Sequence, residues 1–86
     1  MYFHVYMILA KVNGRNISYV GYTKNLKNRL RLHNSSKGAK FTRGKKWEIA
    51  HFKMYSSKNK AMKEEYLLKK NTKKRNMIKR NYLNNL

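Results

Sequence analysis

The sequence predicts a small α+β domain, and three observations carry that reading. Two runs of β-branched, aromatic and aliphatic residues flank an Asn13-Gly14 pair, a third such run spans Trp47 to Tyr55, and apolar residues recur at helical spacing in two stretches between and after them. The 86 residues carry no proline and no internal repeat, which fits one domain over residues 1–86 with a modest core.

The first element is a hairpin. Tyr2 to Val12 and Ile17 to Tyr22 read as strands, and Asn-Gly between them suits a type I′ turn because both residues tolerate positive φ. Counting outward from that turn places Val12 opposite Arg15, Ala10 opposite Ile17, Ile8 opposite Tyr19 and Tyr6 opposite Gly21. Tyr6 and Tyr19 then share a face as diagonal neighbours, about 7 Å apart. Gly21 opposite Tyr6 is expected to leave a gap through which a ligand backbone could come close.

Thr23 or Asn25 caps the next element, a helix carrying Leu26, Arg29, Leu30 and His33 on one stripe. Arg29 on the docking side calls for an anion or for a stem that reaches back to solvent. Its planar fork of donors suits phosphate oxygens, and His33 can carry a proton near neutral pH. Asn34 to Lys46, rich in Ser, Gly and Lys, reads as a basic loop or a short helical excursion that meets phosphates. In the strand from Trp47 to Tyr55, alternation puts Trp47, Ile49, His51 and Tyr55 on one face and Ala50, Phe52 and Met54 on the other, so both sides are expected to be covered. Ser56-Ser57 then caps a helix from about Lys58 to Lys70, with Ala61, Glu65 and Leu68 on one stripe and Glu64 turned outward toward Lys60. Asn71-Thr72 breaks it, and a basic segment from about residue 71 forms a loosely packed last helix with Met77, Ile78, Tyr82 and Leu83.

Charge narrows the partners. Lys and Arg number 22 against 3 acidic residues, Glu48, Glu64 and Glu65, for a net charge of +19. Such self-repulsion is relieved by a polyanion, so nucleic acid is the expected partner, with an affinity that falls steeply with salt. Absence of cysteine excludes disulfides and thiolate zinc sites. Met1 to His4 lacks the features of a signal peptide and Val5 to Ala10 is too short to span a bilayer, so a soluble, cytoplasmic protein without a membrane partner is expected. In so basic a chain, Glu65 on an apolar stripe needs a reason. It is either an ion-pair partner of Arg29 or a metal ligand, and its hard oxygens suit Mg²⁺ or Mn²⁺.

Taken in order, His4-Val5-Tyr6, Tyr19-Val20-Gly21, Thr23-Lys24-Asn25-Leu26 leading to Arg29 and His33-Asn34, Lys37-Gly38-Ala39-Lys40-Phe41-Thr42, and Ala61 with Glu65 resemble the GIY-YIG nuclease family, in particular its small single-domain members. The resemblance covers about residues 2 to 75. It implies a small three-stranded antiparallel sheet flanked by helices, and a metal-dependent endonuclease that cleaves DNA with one divalent ion. It also implies that Tyr6 acts as or orients the general base, Tyr19 lines the site, Arg29 holds the scissile phosphate, His33 assists proton movement and Glu65 binds the metal. His4 stands where the signature has its first glycine, on the face of Tyr6, where it would crowd the substrate or help to take the tyrosine proton. Asn76 and Asn71 are candidates for the asparagine that often follows the glutamate helix. Gly21, Lys24, Lys37, Lys40, Arg43, Lys45 and Lys46 are the expected DNA-binding positions, on DNA that is branched, nicked or single-stranded.

Chemistry read from the residues themselves agrees on one point. Two-metal nucleases need several carboxylates to hold ions about 4 Å apart, and three acidic residues in all permit only a one-metal mechanism. Tyr6 must be helped to ionise, and dense positive charge with a metal-bound or histidine-bound water is expected to favour the phenolate. The competing reading is an inactive DNA- or RNA-binding module that keeps the fold. A structural RNA-binding protein fits the charge but gives Glu65 and Tyr6 no task.

Overall fold

A computed structural model describes residues 1–86. The chain runs β1 (Phe3–Val12), β2 (Arg15–Thr23), α1 (Leu26–Asn34), a single 3-10 turn (Lys40–Thr42), β3 (Glu48–Tyr55), α2 (Lys58–Lys70) and α3 (Thr72–Asn84). The three strands form one antiparallel sheet in the order β2-β1-β3. No helix is long and apolar enough to cross a membrane.

The hairpin has the register that the Asn-Gly turn dictates. Asn13 and Gly14 adopt φ of 52° and 79°, the left-handed pair of a type I′ turn, and Tyr6 pairs with Gly21 and Ile8 with Tyr19. β1 is central, and every residue from Val5 to Ala10 is buried, as expected for a strand covered on both faces. Its odd-numbered side chains, Val5, Met7 and Leu9, pack with Val20 and with Ala61, Leu68 and Ile78 from α2 and α3. The even-numbered set, Tyr6, Ile8 and Ala10, packs with Trp47, Tyr19 and the α1 leucines Leu26 and Leu30. The sheet therefore divides two small cores, and the sequence-predicted site residues of β1, β2 and α1 belong to the second.

Helix ends follow local chemistry. Asn25 caps α1 by accepting from the Asn28 amide at 3.0 Å, while the Thr23 hydroxyl accepts from the Asn25 amide. Ser57 caps α2 and Asn71 caps α3. Asn71 is thus engaged structurally, and Asn76 is exposed on α3. Lys79 reaches the Asn16 carbonyl at 2.9 Å, tying α3 to β2.

The third strand departs from strict alternation. Its register against β1 slips between Met7 and Ile8, with Met7 opposite His51 and Ile8 opposite Ile49, which leaves Ala50 as an extra residue. The bulge reverses the facing of everything beyond it. Trp47 and Ile49 lie with the Tyr6 core, whereas Ala50 and Tyr55 pack with Val5 and Met7, so the expected single face of Trp47, Ile49, His51 and Tyr55 does not exist. Nor is β3 covered on two sides: Phe52 and Met54, on the Tyr6 face, are exposed, because α1 covers only the β1–β2 half of that face.

Candidate active site

Tyr6 and His33 meet in the core beneath α1. Both are fully buried, at 1% and 0% exposure, and the Tyr6 hydroxyl lies 2.7 Å from His33 Nε2. On the far side of the imidazole, Nδ1 lies 2.9 Å from Thr42 Oγ1. The Thr42 hydroxyl spends its only proton on the Ala39 carbonyl, 2.8 Å away, so its oxygen accepts from His33 and the proton of the neutral ring resides on Nδ1. Nε2 is then bare and accepts from the Tyr6 hydroxyl. A chain of three bonds, Tyr6 to His33 to Thr42 to Ala39, fixes the tautomer and aims the ring.

Two glycines make room for this pair. A Cβ on Gly21 would stand 2.5 Å from Tyr6 Oη and 2.7 Å from its ring, and a Cβ on Gly38 would collide with the His33 imidazole. The expected gap over Gly21 is therefore filled by the Tyr6 side chain itself and is not open to a ligand backbone. Gly21→Ala is expected to lower stability by about 1–3 kcal/mol through overpacking, read as a drop in thermal midpoint of about 4–8 °C per kcal/mol. A midpoint equal to that of the parent would show that the ring shifts freely.

The electrostatics differ from the simple expectation that basic surroundings create a phenolate. Burial pushes the Tyr6 hydroxyl above its ordinary value of 10.0, the nearby Arg29 guanidinium pulls it down, and the negative charge of Glu65 adds to the rise. Desolvation wins, so Tyr6 stays a neutral donor. Burial and then the charge of Arg29 hold the His33 imidazole below its usual 6.5, so at neutral pH it is uncharged and can accept a proton. Nor is a water needed between the two, since His33 contacts the tyrosine directly.

Of the sequence-predicted residues, Tyr6, Tyr19, Arg29 and His33 come together. The Tyr19 ring stands edge-on to His33 with centroids 5.2 Å apart. Arg29 is half-buried and close enough for its charge to act on both Tyr6 and His33. Glu65 stands on α2, which packs against the other face of the sheet, near enough for its charge to act on Tyr6; its side chain is 18% exposed and its carboxylate lies 3.5 Å from Lys69 Nζ. It makes no ion pair with Arg29, and Glu64 makes none with Lys60. His4 shares the face of Tyr6 but packs against Phe52, with centroids 5.9 Å apart and a buried Nδ1 that has no partner; the tyrosine proton faces His33 instead. Lys24 sits over the Phe3 ring at 5.7 Å. Lys37, Lys40, Arg43 and Lys46 are exposed on the loop, and Lys45 is tied to the Phe41 carbonyl at 3.0 Å.

Several contributors were not legible in the sequence. Thr42, nine residues from His33, sets the tautomer. Asn34 uses both ends of its amide on Trp47, donating to the carbonyl at 3.1 Å and accepting from the amide at 2.6 Å, which closes the basic loop into a ring. Trp47 Nε1 donates to the Thr42 carbonyl at 2.9 Å and holds Thr42 in place. Fold-wide concavities do not compete with this site. The largest, about 680 Å³ between β3 and the α2–α3 junction, is lined by His51, Lys53 and Asn71 and by none of Tyr6, Tyr19, Arg29, His33 or Glu65.

Comparison with known proteins places the chain in a family. A family model described as the GIY-YIG catalytic domain matches residues 2–81. A UPF0213 protein of Oceanobacillus iheyensis is 48% identical over 52 residues, covering 59% of this chain and 60% of that one. A UPF0213 protein of Bacillus pumilus is 38% identical over 73 residues, 84% of this chain and 72% of the relative. The solution NMR structure of the UPF0213 protein BH0048 from Bacillus halodurans aligns with a TM-score of 0.49 at 35% identity, over 92% of this chain and 84% of that one. With the family model spanning nearly all of a fold that seats Tyr6 and Tyr19 on one face over His33, the chain belongs to the GIY-YIG family of nuclease domains.

Proposed function

We propose that this domain is an endonuclease that hydrolyses DNA phosphodiesters by an activated water with one divalent cation, Mg²⁺ or Mn²⁺. The observation that carries the reading is the Tyr6 to His33 hydrogen bond with its bare, neutral Nε2. A water that attacks phosphorus must lose a proton. The Tyr6 oxygen takes that proton while its own passes to Nε2, so the phenol ends neutral and the imidazole ends as the cation. Buried groups of this kind relay a proton without a free phenolate ever being needed. Arg29, whose charge already reaches Tyr6, binds the scissile phosphate and stabilises the charge that builds on its oxygens.

The donor set fits a hard cation. No three of His, Asp and Glu gather into a cage, and Mg²⁺ characteristically takes one or two carboxylates and fills its remaining positions with water and substrate phosphate. Glu65 would hold it, and Lys69, now on that carboxylate, would yield its place. When bound, the ion would supply Lewis-acid stabilisation of the phosphate. Its dependence on one side chain makes the test direct. Plasmid, nicked and branched DNA incubated with Mg²⁺ or Mn²⁺ are expected to be cut, with no cutting in chelator and none by Glu65→Ala. DNA that is shifted in a gel but never cut, with the same result for Glu65→Ala, would instead favour an inactive nucleic-acid-binding module.

A further inference from the structure

Beside the edge strand β2, the basic loop and the end of α2 leave a groove of about 280 Å³ lined by Ser18, Tyr19, Val20, Phe41, Lys69 and Arg75. Two of its features keep recognition groups free: the exposed face of Phe41 and the positive charge of Arg75. Phe41 is 53% exposed, although its ring is held in place, nearly parallel to Tyr19 at 6.1 Å and 6.3 Å from the Trp47 ring. Arg75 is half-buried and pinned, with Nε donating to the Leu68 carbonyl at 3.1 Å and Nη2 to Thr72 Oγ1 at 3.0 Å. No carboxylate meets its guanidinium, since the one ion pair of the molecule joins Lys69 to Glu65. A fixed cation without an anion and a fixed aromatic ring open to water, in one groove, together match a nucleotide: a phosphate for the first and a base for the second.

We propose that this groove is a subsite for an unpaired nucleotide flanking the scissile phosphate, with its base against Phe41 and its phosphate on Arg75. The occupant is single-stranded, because a base inside a duplex is already stacked on its neighbours and cannot reach an aromatic ring on the protein surface. Charge complementarity favours it, since Lys45 stands 5.3 Å from the centre of the Phe41 ring and Lys69 lines the groove. Tyr19 links the two sites, contacting both His33 and Phe41. The position relative to the cut rests on the nuclease reading above, whereas the preference for an unpaired nucleotide does not.

The test is equilibrium binding of a labelled thymidine 12-mer and of a 12-base-pair duplex, both in chelator, with circular dichroism as the check on folding. Phe41→Leu, which keeps apolar bulk and loses the π face, is expected to weaken single-strand binding about 5- to 150-fold and to leave duplex binding within twofold. Phe41→Trp is expected to bind the single strand at least as well as the parent. Arg75→Gln is expected to reduce the slope of log K against log salt on the single strand by about 0.7. Phe41→Leu that binds the single strand as the parent does, or that loses single strand and duplex equally, overturns the proposal. Because chelator is present throughout, discrimination by Phe41 in a protein that never cuts would sustain the subsite and refute the endonuclease. Cutting without discrimination would do the reverse.

Discussion

Tyr6→Phe is expected to lower the rate of DNA cutting by about 100- to 10,000-fold, the range of a general base, His33→Ala to do the same, and the double variant to fall little further. The reason is that the two side chains, joined by a buried hydrogen bond of 2.7 Å, are proposed as a single proton path, and members of a unit are strongly non-additive. Single-turnover cutting of one labelled substrate measures all three. Losses that multiply would show that the groups act separately. The pH profile follows from the same geometry. His33 must be neutral to accept, and burial and Arg29 hold it below 6.5, so the acid limb of the rate is expected at lower pH than that of an ordinary histidine. Tyr6, raised above 10.0, introduces no break on the alkaline side below that value. Stability shares the acid limb. An unfolded histidine binds its proton more readily than the buried one, so folding free energy present above pH 6.5 is lost as pH falls through the folded value of His33.

Arg29→Ala is expected to reduce cutting by about 100- to 1,000-fold, as removal of a preorganised charge-stabilising donor does, while DNA affinity stays within a few fold. With a net charge of +19, binding is spread over many phosphate contacts, and the loss of one shifts it little. Cutting assays and gel shifts on one substrate separate the two quantities, and parallel losses would remove Arg29 from the reaction. The substitution also carries a spectroscopic signature. Arg29 depresses His33 and opposes the burial of Tyr6, so without it both groups titrate at higher pH. The His33 imidazole resonances and the acid limb of the residual activity should move upward together.

Much of this molecule is local and for that reason was open to reading. Asn13-Gly14 selects a turn whose geometry sets every pairing back to Tyr6 and Gly21, and Asn25, Ser57 and Asn71 each end or begin a helix by bonding an amide three residues on. Spacings of three and four placed Arg29 with His33, and Glu65 between Ala61 and Leu68, because side-chain direction on a helix is periodic. The resemblance of those residues to the GIY-YIG pattern added the roles expected of them. It did not extend to how they are held.

Contacts between residues distant in sequence decided the rest. The bulge at Ala50 turns the last part of β3 over, which alternation along one strand cannot announce, because register belongs to the pair of strands. Gly21 looked like an opening and proves to be the seat of the Tyr6 ring, since only packing shows which side chain leans into a vacancy. The ionisation of Tyr6 depended on burial outweighing nearby positive charge, and composition records the charge but not the burial. The sequence by itself determined the strands, the helices and the stripe of reactive side chains, through short-range turn, cap and periodicity rules. The tertiary structure alone decided the proton's position on His33, the exposure of Phe41 and the pinning of Arg75, because each depends on atoms that folding brings together.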